Sequence, residues 1–221
     1  MTPDTTPYRE ARTRSVGALQ VLYGFVVGLA VTEGLKYALT EPGSDTIRLR
    51  AAEAFTFLSL LATAIPFFHG ANRYLEATYV TGERAPTRRW ALMADFVLLL
   101  VQGLTLYALA LLTSAPRSFT AALAFLLLLD VSWVLLTTRY TDADVSDYRQ
   151  WAWVNVAACV LLGALWLIPA GWSGPALLAV AVARTVGDYW ISWDFYYPEH
   201  DRRPERNAAP GRSSPTTPSP S

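Results

Sequence analysis

The sequence predicts an all-α polytopic membrane protein, six transmembrane helices in a bundle, with three αα-hairpins as the simplest arrangement. Three observations point there. Of 221 residues, 52% are hydrophobic and 16% charged, whereas soluble domains carry about 25% charged residues. The charges are also segregated, leaving six apolar runs that approach or reach the roughly 20 residues a helix needs to cross a bilayer. Finally, the arginines are shared very unevenly between alternate loops, as positive-inside insertion requires.

Residues 1–14 are polar, carry Arg9, Arg12 and Arg14, and read as a cytoplasmic N-terminal segment. The first span covers residues 15–40. It is too long for a signal-peptide core, and the processing-like Ala38-Leu39-Thr40 lies far from the start, so a retained span is expected. Glu33 and Lys36 lie three apart near its far end and share a helix face. With Glu53, at the start of the second span, they form an expected outer polar cluster. Gly24 and Gly28 are expected to admit a neighbouring helix closely.

The second span covers residues 51–72, with the helix extending toward Tyr79. Pro66 lies inside it and predicts a kink. His69, Asn72 and Arg73 cluster at its end. A basic loop broken by Gly82 and Pro86 follows. The third span, 90–113, carries Asp95 and Gln102. A tight link leads to the fourth, 119–137, which carries Asp130 and Trp133. The fifth, 151–170, carries Asn155, and residues 171–174 read as a second tight link.

The sixth span, 175–197, is the most charged of the set. Arg184 and Asp188 lie within it, followed by Tyr189, Trp190, Trp193, Phe195, Tyr196 and Tyr197. Charged side chains at membrane depth cost about 2.5–3.5 kcal/mol each on insertion scales, so they need partners or water. The aromatic block reads as an interfacial belt. Residues 199–221, rich in Pro, Ser and Arg, read as a disordered cytoplasmic tail. Arg73-Tyr74 and Arg139-Tyr140 close the second and fourth spans alike, a faint internal repeat that the interfacial preference of Arg and aromatic residues explains equally well.

Orientation follows from counting. With six spans, both termini share a side that holds thirteen arginines, from Arg9 to Arg212, against Arg48, Arg50 and Arg117 on the other. The expectation is a multi-pass protein of the plasma (inner) membrane with both termini cytoplasmic. His69, Asn72, Arg73, Asp95, Asp130, Asn155, Arg184 and Asp188 then fall in the cytoplasmic half as a candidate binding set. One reading is a wet cavity open to the cytoplasm, with Arg184 as cationic anchor and the aspartates as counter-ions. The other is a buried ion-pair network that fixes helix register.

Several chemistries are excluded by missing parts. Cys159 is the one cysteine and His69 and His200 the two histidines, so neither a cysteine metal site nor a paired-histidine haem is expected. No hydrolase, zinc-protease or phosphate-loop motif is present. No cofactor is expected. Zero net charge gives no field favouring nucleic acid. The leading expectation is a small transporter or channel-like permease for an ion, proton or small anionic or zwitterionic solute. The alternatives are a membrane-embedded sensor or partner subunit, and an intramembrane lipid-modifying enzyme. The expected partners are the lipid bilayer, a small polar ligand or ion, and a second copy or another membrane subunit.

Overall fold

The computed structural model describes residues 6–39, 50–81, 90–139 and 145–197. The expected tail at 199–221 and most of the connecting loops lie outside the described residues. Within them every regular element is helical: α1 (Thr6–Leu39), α2 (Ala51–Leu75), α3 (Ala91–Leu111), α4 (Pro116–Thr137), α5 (Val145–Ala164), α6 (Ala170–Ile191) and the short α7 (Trp193–Tyr196). Helix α2 runs on as a π-helical turn, Glu76–Val80, and α5 ends in a 3-10 turn, Leu165–Leu167.

Helix ends follow local chemistry more than hydropathy. At 34 residues, α1 is about 51 Å long, well beyond a bilayer core of about 30 Å. It begins in the polar segment because helical bonding does not stop where apolarity does, and an Arg14–Glu10 pair at 3.4 Å spans one of its first turns. Helix α4 opens on Pro116, where a missing N–H removes no helical bond. The link expected at 171–174 is instead the first turn of α6. The break falls at Ile168 and Pro169, both with extended ψ (140° and 143°), because a residue preceding proline is driven out of the helical region.

The long helices close into a ring. In order around it, α1 packs on α3, α3 on α4, α4 on α5, α5 on α6, α6 on α2, and α2 on α1. The helices of each expected hairpin touch, but the most extensive interfaces, α1–α3, α2–α6 and α4–α5, join different hairpins. Close approach of α1 and α2 occurs at Gly34, where an added Cβ would sit 2.7 Å from Leu60 Cδ2. Gly24 stands against Phe68, whereas a Cβ at Gly28 would meet nothing.

Apolar side chains fill much of the interior, Leu60, Leu99, Leu106 and Leu127 among them, and also cover the outside, while a few polar groups are buried within. Asp95, Gln102, Asp130, Asn155, Arg184 and Asp188 are all buried, while Val21, Phe25, Leu104, Phe125, Leu135 and Val160 are exposed. The buried Thr and Ser hydroxyls on α2 are satisfied by their own helix: Thr56, Ser59 and Thr63 each donate to the carbonyl four residues back. An apolar exterior over such an interior suits hydrocarbon rather than water. Among the described residues, five helical segments are long and apolar enough to cross a membrane: Glu10–Leu39, Ala51–Val80, Ala91–Leu111, Pro116–Thr137 and Arg149–Leu167. This is compatible with a multi-pass membrane protein. Helix α6 is not among the five; Arg184 and Asp188 lower its mean hydropathy.

Candidate functional site

The site begins with a backbone defect. Pro66 lacks an N–H, so the carbonyl of Ala62, one turn earlier, loses its helical donor. The hydroxyl of Thr185 on α6 donates to that carbonyl. Proline thus creates an acceptor on one helix for a side chain of the next, and the bond fixes α6 beside α2 at the residue following Arg184. A residue read from sequence as a kink therefore also serves as a docking point.

Arg184 is positioned from three helices. Its Nε donates to Asn155 Oδ1 on α5 at 2.9 Å. Its Nη1 lies 3.4 Å from Asp188 Oδ2, one turn on, close enough for an ion pair though not aligned as a hydrogen bond. Nη2 lies 4.0 Å from Asp130 Oδ2 on α4, and the guanidinium stands 4.9 Å from the ring centre of Phe67 on α2. Asn155 works in both directions, accepting from Arg184 and donating from Nδ2 to Asp130 Oδ2 at 2.8 Å. Its amide supplies a donor and an acceptor on separate atoms, one for each neighbour. Gln102 on α3 supplies the second donor to Asp130, at 2.8 Å to Oδ1.

Asp95 is the centre of a second network. Tyr74 and Tyr79 donate to its Oδ2 at 3.0 and 2.6 Å, and Trp133 Nε1 donates to Oδ1 at 2.9 Å. The π-helical turn after α2 carries Tyr79, so that turn has a polar function at its tip. Trp133 also meets Tyr74 edge-on, with ring centres 4.6 Å apart.

His69 and Arg73 meet the α7 segment. Arg73 Nε donates to the Phe195 carbonyl at 2.9 Å. His69 Nδ1 and the Tyr189 hydroxyl are 3.1 Å apart, and the His69 ring lies against Tyr196 with centres at 4.6 Å. Gly70 makes room for this contact, since a Cβ there would sit 3.1 Å from the Tyr196 hydroxyl. That hydroxyl donates to Asp188 Oδ2 at 3.2 Å, so α7 is tied to both α2 and α6. Asn72 turns back onto its own helix, donating to the Phe68 carbonyl, and its backbone carbonyl accepts from Gln20. The aromatic block is thus divided: Trp190 and Trp193 face outward, whereas Phe195 and Tyr196 face inward.

Between α2, α4 and α7 lies a cavity of about 60 Å³. Six of its fourteen lining residues are aromatic, Phe67, Tyr74, Trp133, Trp151, Phe195 and Tyr196, and its polar lining includes Gln102, Asp130, Thr137 and Ser192. Arg184 is not part of the lining. Of the expected binding set, Asp130, Asn155, Arg184 and Asp188 form one connected network and Asp95 a second, while His69 and Arg73 seat α7. At the opposite end of the bundle, Lys36 pairs with Glu33 at 3.3 Å and Glu53 with Arg50 at 3.0 Å, each pair local to one helix start or end.

Gln102, Thr185, Phe67 and Tyr196 are missing from the set expected from sequence. Gln102 had a signal, being a lone amide mid-span that needs a partner in hydrocarbon. The other three carried none that distinguishes them from ordinary span residues. A scan against family models, a search of curated proteins and a search of solved structures each find no match to this chain.

Proposed function

We propose that the chain is a small membrane permease or channel-like subunit that admits a small cation to the cavity at Asp130. In this reading α6 is a sixth span, its charges sheltered inside the ring, and the α7 end faces the cytoplasm. One observation carries the reading: the ionisable group lining the cavity is a carboxylate, while the buried guanidinium lies behind it, already engaged. An anionic solute entering there would meet Asp130 first. Two carboxyl groups, Asp130 and Asp188, share that one guanidinium, so a second positive charge is needed to balance both when ionised. A proton wire along it is disfavoured, because it runs through a guanidinium that does not deprotonate and an amide that carries no exchangeable charge.

The test is reconstitution into liposomes with a membrane-potential dye, using gradients of ammonium, methylammonium and potassium. Charge movement that disappears in Asp130→Asn, with the helical content and melting transition retained, supports the reading. Wild-type liposomes indistinguishable from empty ones for all three cations would sink it.

A further inference from the structure

We infer that the occupant of this cavity is a small organic ammonium, methylammonium in size, held by Asp130 and the surrounding rings. This rests on the cation reading above and narrows it. A bare or hydrated alkali ion needs a shell of oxygens to replace its water. Six of the fourteen lining residues are aromatic and Asp130 is the one carboxylate, while the Tyr74 and Tyr196 hydroxyls already donate to Asp95 and Asp188. An alkylammonium has other needs: a carboxylate for the charge, and π faces for the partly charged methyl and methylene groups. Two of the lining rings already meet cations from the protein. Phe67 lies under Arg184 with 4.9 Å from Cζ to ring centre, and Phe195 under Arg73 at 5.8 Å.

Orientation of the rings adds to this. Trp133 Nε1 and the Tyr74 hydroxyl donate to Asp95, and Tyr196 donates to Asp188. The polar tips of three wall residues are thus committed to carboxylates, and these bonds hold the ring bodies in place around the cavity. Size agrees. The cavity is about 60 Å³, and at about 10–15 Å³ per water on the same measure it holds a handful of waters, room for a small ammonium.

Saturation-transfer NMR on the full chain in lipid nanodiscs tests this, with methylammonium as probe and methanol as its uncharged counterpart. The expected result is saturable methylammonium binding with a dissociation constant on the order of 10 mM, near the limit open to a ligand of two heavy atoms. Methanol should bind at least tenfold more weakly, and equimolar potassium should not displace the ammonium. Asp130→Asn should weaken binding tenfold or more. Because that variant also disturbs the contact with Asn155, Ala71→Val serves as a second one. It fills the cavity from α2 without touching a charge, and should abolish binding while the melting transition stays put.

Equal binding of methanol would overturn the inference, as would displacement by equimolar potassium, no methylammonium binding, or binding that survives Ala71→Val. The two readings fail separately. Methylammonium binding without charge movement in liposomes upholds the ligand class and sinks the permease. Potassium flux without methylammonium binding does the reverse.

Discussion

At the scale of single residues, the informative pair is Pro66 and Thr185. Hydrogen bonds between membrane helices average about 0.6 kcal/mol and reach about 1.7 kcal/mol. The Thr185 bond should lie at the upper end, because its acceptor has no other helical donor. Thr185→Val is therefore expected to destabilise by about 1–2 kcal/mol in a detergent-unfolding titration, with Thr185→Ser largely restoring stability. A double-mutant cycle sharpens this. Pro66→Ala returns an N–H to Ala62, so in that background Thr185→Val should cost close to nothing. An undiminished cost would show that the hydroxyl acts elsewhere. Asn155 invites a similar argument. Asn155→Leu bares Arg184 Nε and Asp130 Oδ2 at about 1–3 kcal/mol each, making it a costlier change than any outward-facing Leu→Ala on α4, as the same titration would show.

At the scale of elements, α7 is the piece with the least packing of its own. Four residues cannot sustain a helix; Trp193–Tyr196 keeps its shape because Arg73 holds the Phe195 carbonyl and Tyr196 sits over Gly70. Gly70→Val pushes into the Tyr196 hydroxyl and should unseat the segment. Hydrogen exchange resolved to peptides is expected to rise at least tenfold across 193–197 while α3 and α4 stay protected. Unchanged exchange there would mean that α7 is held by contacts other than these. The sequence pointed to the aromatic block as an interface belt, and Trp190 and Trp193 do face outward. Phe195 and Tyr196 turn inward for a reason invisible in composition: a glycine and an arginine more than 120 positions earlier receive them.

At the scale of the whole molecule, the arginine distribution predicts sidedness. Ser114, in the α3–α4 link, and Arg149, near the start of α5, are both exposed and flank α4. With Cys159 replaced, a cysteine at 114 should react with an impermeant maleimide on intact cells. A cysteine at 149 should react only after permeabilisation. Labelling of both from outside would overturn the topology. The ring gives this arrangement its interior: since α1 meets α3 and α6 meets α2, the polar faces of five helices converge on one axis instead of pairing off within hairpins.

The sequence by itself determined the all-helical class, the rough place of each long helix though not its ends, and the buried charges, because each follows from a local quantity. Hydropathy sets where a span can lie, and the desolvation of a charge that it must turn inward. Asp95, Asp130, Asn155, Arg184 and Asp188 were legible on that ground. Only the tertiary structure decided who partners whom. Asp95 takes two tyrosines and a tryptophan, Asp130 two amides, and Arg184 lies behind a carboxylate instead of presenting itself to a ligand. Those choices depend on helix rotation and on non-sequential neighbours, set by close contacts such as Gly34 on Leu60 and by a proline-freed carbonyl. Such contacts join residues far apart in the chain, and no periodicity within one span encodes them.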